Sequence, residues 1–456
     1  MAATAPCSSI TRPSRPWKPC SPEPRRRSGI SARSPCPPRH GRARVSKIGY
    51  PALDGMMPPM VALPPGAVMR RAAMRRNMQQ ETMNSRPYQQ CTRCVMDTTD
   101  PDITFDEQGL CSHCQRYDLM VRDIVDRATR DERRAELEAV VARIKAAGQG
   151  KDYDCIMGLS GGVDSSYIAY LTRELGLRPL AVHFDSGWNS ELAVSNIENI
   201  VKRLGIDLYT HVVNWDEMRD LQLAFFKASV ANCDIPTDHA FPAILLSQAA
   251  KHGIKYVLSG SNYATEFILP SSWGYQSGDL RHLKDIHRQF GQGRLREYPT
   301  IGFFKQYIWY PYIRRIKTVK LLNYLPYNKF EAKQIIMREL GWRDYGGKHY
   351  ESVFTRFFQG YYLPTKFGYD KRLAHLSSLI NSGQLSREQA LQELREPTYD
   401  PALQAEDKRF VAKKLGVSVD QLDAIFAQPN KDYTAYKSYA KLFDVGLKVK
   451  RSFTKL

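Results

Sequence analysis

No stretch of this 456-residue sequence stays apolar for the roughly 18–20 residues that a membrane-spanning helix requires, so none is expected. Cysteine is scarce, with nine in all, which is too few for the disulfide framework of a secreted domain. Acidic residues are nearly missing from the first 82 positions, which hold fifteen Lys and Arg against Glu23, Asp54 and Glu81. That segment alone carries +12 of the formal +19 and leaves +7 for the rest of the chain. A basic balance of that size suits an enzyme that binds polyanionic small molecules, and nucleic acid is not expected as a partner. The composition, 43% hydrophobic and 25% charged, is that of a globular protein.

Residues 1–82 are rich in Pro, Arg, Ser and Met and show no sustained hydrophobic period. They read as a disordered or non-native extension, with the working protein beginning near Met83. They are Arg-rich like an organellar transit peptide, but the proline content opposes an amphipathic helix. Residues 88–118 read as a small metal module. Cys91-x2-Cys94, sixteen residues, then Cys111-x2-Cys114 has the spacing of a tetrahedral four-cysteine zinc ribbon, with an iron–sulfur cluster as the lesser alternative. Gly109 permits a tight hairpin between the pairs, and His113 is not needed once four thiolates fill the shell. Such thiolates imply a reducing compartment, and the cytoplasm is the expected location. Cys155 and Cys233 read as buried core residues rather than nucleophiles.

Residues 119–148 predict a charged amphipathic helix (Ile124, Leu137, Val140, Val141, Ile144) that ends at Gly148. From Asp152 the pattern alternates. Short apolar runs at Cys155–Leu159, Leu180–Phe184, Leu208–Val213 and Lys255–Leu258 are separated by helical stretches. The expected fold class is therefore α/β, a doubly wound parallel sheet over residues 150–297. Residues 298–456 read as a mainly helical region for substrate or partner binding. Ten aromatics in 298–330, among them Phe303, Tyr307, Trp309 and Tyr312, read as core or subunit interface rather than membrane contact.

Between an apolar strand and a helix lies Ser160-Gly161-Gly162-Val163-Asp164-Ser165-Ser166. Two glycines let backbone N–H groups approach a polyphosphate, and the following helix adds its unpaired N–H groups and positive dipole end. Ser160, Ser165 and Ser166 supply hydroxyls, and Asp164 is placed to hold Mg2+ on the phosphates. The Gly-Lys-Ser/Thr ending of a Walker loop is missing.

This stretch resembles the PP-loop of the N-type ATP pyrophosphatases, whose members include GMP, NAD and asparagine synthetases and tRNA thiolation enzymes. The resemblance implies an adenine nucleotide alpha hydrolase-like sheet. It also implies activation of a carbonyl oxygen by adenylation with release of pyrophosphate. Phe184-Asp185-Ser186-Gly187 falls where that family contacts adenosine. Ser259-Gly260-Ser261-Asn262, with Glu266 beyond, falls at its late strand-end motif, where paired Asp residues are usual. Farther on, Gly346-Gly347-Lys348-His349 through Arg356, then Lys366, Lys371 and Arg372, set cations among aromatics; they form either a solvated basic face or, as the two glycines beside Lys348 favour, a second phosphate clamp. Glu266 and His349 are the candidates for the general base.

Taken over 88–425, the segments CTRCVMDTTDPDITFDEQGLCSHC, GLSGGVDSS, LSGSNYATE and GWRDYGGKHYESVFTRFFQGYYLPTKFGYDKRLAHLS resemble the N-acetyl sugar amidotransferases of lipopolysaccharide and flagellar-glycan biosynthesis. That resemblance implies conversion of an acetamido group on a nucleotide sugar to an acetamidino group in O-antigen assembly. The expected cofactors are ATP, Mg2+ and Zn2+. The sequence holds no Gly-x-Cys-x-Gly elbow and no cysteine just after the initiator Met. The resemblance therefore implies ammonia from a partner glutaminase similar to that of imidazole-glycerol-phosphate synthase. The rivals are a tRNA sulfur-insertion enzyme, which needs a further cysteine pair, and a zinc-ribbon scaffold with a relic nucleotide site.

Overall fold

A computed structural model describes residues 86–127, 131–347 and 350–443. The expectation for residues 1–82 lies outside them, as do Lys348 and His349. Five strands, β1 (Cys155–Gly158), β2 (Pro179–Asp185), β3 (Asp207–Val212), β4 (Tyr256–Ser259) and β5 (Lys317–Lys320), form one sheet in the order β3-β2-β1-β4-β5. Every pairing is parallel, with Ile156 opposite Leu180 on one side and Val257 on the other.

The two-residue period of the strands sorts their side chains into two layers. Cys155, Met157, Leu159 and Ala181 point to one face, where Ile144, Ile168, Ile197, Ile200 and Ile336 pack. Ile156, Leu180, Val182 and Phe184 point to the other, against Leu221, Phe225, Ile244, Ala249 and Phe354. Burial on both faces is why β1 and β2 read as unbroken apolar runs. The chain leaves β1 for β2 in one direction and later returns to β4 on the other side of β1. The carboxyl ends of β1 and β4 therefore flank a topological switch point, the usual place for a ligand crevice.

Two expectations are corrected here, and a third is met in part. The helix expected over 119–148 is Arg122–Arg127 followed by Asp131–Ala147. The stretch expected to be mainly helical contributes β5, so the sheet continues past residue 297. Strand β5 was hidden because Lys317, Thr318 and Lys320 are exposed on the sheet's edge and show no apolar run. The aromatics of 298–330 divide: Tyr298 and Tyr327 are buried and Tyr310 packs against the core, whereas Phe304, Trp309 and Tyr312 are exposed. Most of the remainder is helical as expected, including Lys329–Leu340, Lys371–Asn381, Arg387–Arg395 and Pro401–Leu415.

Leu280–Phe290 buries His282 completely, and neither ring nitrogen has a hydrogen-bond partner among the described residues. Burial pulls its pKa from 6.5 to about 4 against the opposing pull of Asp279, Asp285 and Asp432. The unfolded chain binds this proton below pH 6.5 and the folded chain does not until about 4. Stability is therefore whole above 6.5 and falls as pH drops toward 4, by up to about 3 kcal/mol. Urea midpoints measured across that window should show this slope, and His282→Phe should flatten it.

Candidate active site

The glycine loop leaves β1 at the switch point and enters the helix Val163–Glu174, with Gly162 as the residue before its first turn. Its shape is held from within and from behind. The Ser160 and Ser165 hydroxyls lie 3.1 Å apart, the Gly162 N–H donates to Ser160 Oγ at 3.3 Å, and Ser165 Oγ donates to the Gly162 carbonyl at 3.1 Å. Behind the loop, the Gly161 carbonyl accepts from Trp342 Nε1 at 2.7 Å and from the Tyr345 hydroxyl at 3.0 Å. Gly161 has φ +84, and a Cβ there would stand 2.9 Å from the Tyr345 oxygen, so only glycine fits. The Gly161 carbonyl is thus taken up by Trp342 and Tyr345, while the N–H groups of Ser160, Gly162 and Ser166 are held by acceptors within the loop.

Ser160, Gly162, Val163, Asp164 and Ser165 line one wall of a cleft of about 620 Å³. Gly260, Ser261 and Glu266, beyond β4, line it beside them. Asp164 accepts a hydrogen bond from the Tyr327 hydroxyl. Burial first, and then the Asp164 charge, lifts that phenol well above its ordinary pKa, so it stays a donor. The rest of the lining comes from distant sequence: Lys329, Lys333, Tyr350, Arg356, Lys371, Arg372 and His375, with Glu351 reaching within 3.3 Å of where a Gly162 Cβ would stand.

Of the residues expected from sequence, Ser160, Gly162, Asp164, Ser165, Gly260, Glu266 and Arg356 meet at this cleft. Others are placed differently. Gly161 backs the loop, as above. Ser166 is fully buried and donates to the Gly162 carbonyl at 2.8 Å. Phe184 is packed in the core, and Asp185 accepts from the Gly187 N–H and from Asn189, so neither is among the residues lining the cleft. Asn262 caps the short helix Tyr263–Glu266 through the Thr265 N–H. In the expected clamp, Lys366 donates to the Phe426 and Gln428 carbonyls, which anchors a neighbouring helix end. Arg356 is bidentate on Asp407 at 2.7 and 2.9 Å, so its charge is already largely answered where it reaches the cleft. Lys348 and His349 lie outside the described residues.

Sequence reasoning missed Tyr327, Trp342, Tyr345, Lys329, Lys333 and His375. Lys329 and Lys333 did leave a signal, since they sit one turn apart on the helix Lys329–Leu340 and share a face.

Cys91, Cys94, Cys111 and Cys114 are buried with all four sulfurs within 4.8 Å of one another. The Cys91–Cys114 and Cys94–Cys111 separations are 3.9 and 3.7 Å. A tetrahedron with zinc–sulfur bonds of about 2.3 Å has edges of about 3.8 Å, so the set fits such an ion. The Cys94 and Cys111 N–H groups donate to Cys91 Sγ, and the Met96 N–H to Cys94 Sγ, as thiolates would require. Asn381 Oδ1 lies 3.3 Å from Cys114 Sγ while its Nδ2 is buried without a partner among the described residues. A half-turn of that amide would give a thiolate the N–H it wants. Gly109 sits in the left-handed region at φ +75, and a Cβ would meet Thr92 at 2.8 Å. His113 pairs with Asp100 at 2.7 Å and stands outside the set.

Comparison with known proteins bears on both halves of the cleft. Residues 149–299 match the asparagine synthase family. Residues 351–450 match the C-terminal domain of WbpG-like lipopolysaccharide biosynthesis proteins. The chain joins a PP-loop, asparagine synthase-type domain to a WbpG-like C-terminal domain. It is an ATP-dependent enzyme of the carbon–nitrogen ligase or amidotransferase type.

An uncharacterized protein of Methanocaldococcus jannaschii is 26% identical over 60% of this chain and 83% of its own length. A tRNA(Ile)-lysidine synthase of Chlamydia pneumoniae is 34% identical over 15% of this chain and 22% of its own. Among solved structures, an NH3-dependent NAD synthetase from Campylobacter jejuni is 15% identical, covering 66% of this chain and 97% of that one with a TM-score of 0.28. An NMN synthetase from Francisella tularensis is 13% identical, covering 48% and 89% with a TM-score of 0.21. Scores that low add nothing to what the strand order already states. No helix among the described residues is long and apolar enough to cross a membrane.

Proposed function

We propose that this PP-loop enzyme converts the acetamido group of a nucleotide-linked N-acetyl sugar to an acetamidino group during O-antigen or related surface-glycan assembly in the cytoplasm. The observation that carries the reading is the cleft itself. The asparagine synthase-type half supplies a phosphate loop along one wall, and the WbpG-like half supplies Arg356, Lys371, Arg372 and His375 to the rest of the lining. A cavity of about 620 Å³ is within the roughly 300–1,000 Å³ typical of small-molecule sites.

In this reading ATP lies with its phosphates against the glycine loop Ser160–Ser166. Asp164 would hold Mg2+, which supplies charge neutralisation at the phosphates when bound. The phosphate or diphosphate of the nucleotide sugar faces the cations Lys371 and Arg372. The acetamido oxygen attacks the α-phosphorus, the bond to pyrophosphate breaks, and an O-adenylyl imidate forms. Ammonia then adds at the imidate carbon. A proton passes to a nearby base, with Glu266 and His349 the candidates, and the carbon–oxygen bond breaks to release AMP. An amide oxygen is a poor leaving group, and adenylation corrects that. The protein's part is positioning and electrostatics.

The cysteine set would hold Zn2+, and ammonia would come from a separate glutaminase. The thiolation alternative has less to work with. Cys155 and Cys233 are both fully buried, and burial raises both thiols above their usual range.

The purified chain, given ATP and a UDP- or CMP-linked N-acetyl sugar, is expected to form AMP with high ammonium, faster as alkaline pH frees NH3. Glutamine should work only when the partner glutaminase is added. The sugar product should carry NH in place of one oxygen when its mass is measured. Glutamine-driven turnover by the lone chain would overturn the partner claim, and a sulfur-bearing or tRNA-dependent product would overturn the reaction.

A further inference from the structure

From Tyr298 to Asn328 the chain has no Asp or Glu, yet it holds Lys305, Arg314, Arg315, Lys317 and Lys320. Within it, Lys305–Ile313 winds in wide π-type turns, closed by the Arg314 N–H on the Trp309 carbonyl at 2.8 Å. Pro311 lacks the N–H that a regular helix would use there. None of these nine residues is buried. Phe304, Trp309, Tyr312 and Ile313 are 58%, 41%, 74% and 57% exposed, far more apolar surface in one place than chance exposure gives.

The segment's carboxyl end lies at the edge of the sheet away from the glycine loop. Arg314 donates to the Ala250 carbonyl at 2.7 Å, near the end of the helix Ile235–Lys251, and Lys255, just before β4, donates to the Arg314 carbonyl at 2.8 Å. Cations crowd there. Burial, then Lys151, Arg314 and Arg315, hold the Lys255 ammonium below its ordinary pKa.

We propose that this face is a peripheral contact surface for an anionic phospholipid bilayer. Its aromatic and isoleucine side chains enter the boundary between headgroups and acyl chains, and its cations sit on lipid phosphates. An exposed apolar strip whose own segment carries only positive charge, with Asp279 near Tyr307 the acidic neighbour from another element, is matched by a surface that is apolar within and negative at its rim, and a bilayer is that surface. Long cationic side chains reach the phosphates while their stems lie along the apolar layer. The proposed face lies by the amino ends of β4 and β5, whereas the glycine loop leaves the carboxyl end of the central strand β1, so docking this way leaves the loop open to dissolved substrates.

The test is co-flotation of the full chain with phosphatidylcholine vesicles, with and without phosphatidylglycerol. Binding is expected only with the anionic lipid and should weaken as salt is raised. Lys305→Glu with Lys317→Glu should lower the partition constant by roughly fivefold or more for each charge changed. Trp309→Ser with Tyr312→Ser and Ile313→Ser should remove most of the rest. AMP formation on dissolved substrates should be unchanged in both variants, so the result stands apart from the reaction proposed above. Failure of the wild-type chain to float would overturn the proposal. So would flotation undiminished in both variants, which assigns binding to the basic first 82 residues. A vesicle-free shift from oligomer to monomer in the aromatic variant would overturn it too, by giving the face to a protein.

Discussion

Asp164→Asn is expected to lose pyrophosphate release by at least about a hundredfold to a thousandfold, the scale seen when one electrostatic contact to the reacting phosphates is deleted. The fold should stay intact. Asparagine is the informative substitution because the Tyr327 hydroxyl donates to Asp164 inside the protein. Alanine would leave that buried donor without an acceptor, at a cost of about 1–3 kcal/mol, and would confuse lost stability with lost chemistry. The amide oxygen of Asn keeps the bond and removes the charge. A nucleotide-binding measurement beside the rate separates the two roles: weakened Mg2+ dependence with an unchanged melting curve supports the assignment. Near-wild-type turnover at saturating Mg2+ would sink it.

The second large effect is expected at the cysteines. Cys91→Ser or Cys114→Ser should bring bound zinc down from about one per chain, lower the unfolding midpoint by several degrees or more, and depress activity as well, since metal-binding energy is folding energy. The loss of activity follows from where the module is docked. Val95 N–H donates to Ser377 Oγ at 3.2 Å, Arg387 donates to the Cys94 and Cys91 carbonyls, and Cys114 contacts Asn381. Ser377 and Asn381 belong to the helix Lys371–Asn381, which carries Lys371, Arg372, His375, Leu376 and Leu379 on the cleft wall. A loosened metal module therefore loosens that wall. Metal analysis of the wild-type chain that finds none would refute the ribbon. Full activity in a metal-free variant would refute the coupling.

What was legible in the sequence was whatever is local. The two Cys pairs, the glycine loop and the alternation of apolar strands with helices each fit within a few dozen residues, and each has a short-range physical cause. Strand β5 was not legible because an edge strand exposed to water keeps its lysines and shows no apolar run. The rest of the cleft lining was legible only in part. Lys371 and Arg372 stood out as cations among aromatics, yet Lys366 stood in the same run and serves a helix end instead. Nothing in the order of residues tells those uses apart, because Lys366 and Lys371 fall on two successive helices, Leu363–Phe367 and Lys371–Asn381, and the difference lies in what each helix packs against. Tyr327 left no signal, and Trp342 and Tyr345 fell inside a segment that carried the resemblance with nothing to mark what they touch. Each acts on the loop across more than 150 residues of chain, and only the folded sheet brings them there.

The central claim is that the sugar's own amide oxygen is activated on phosphorus and then expelled. An N-acetyl nucleotide sugar carrying heavy oxygen in its acetamido carbonyl tests that claim directly. After turnover with ATP and ammonium, the heavy oxygen should be found in the phosphate of AMP, with none in pyrophosphate and none left on the amidino carbon. Heavy oxygen in pyrophosphate, in water or still on the sugar would contradict the account.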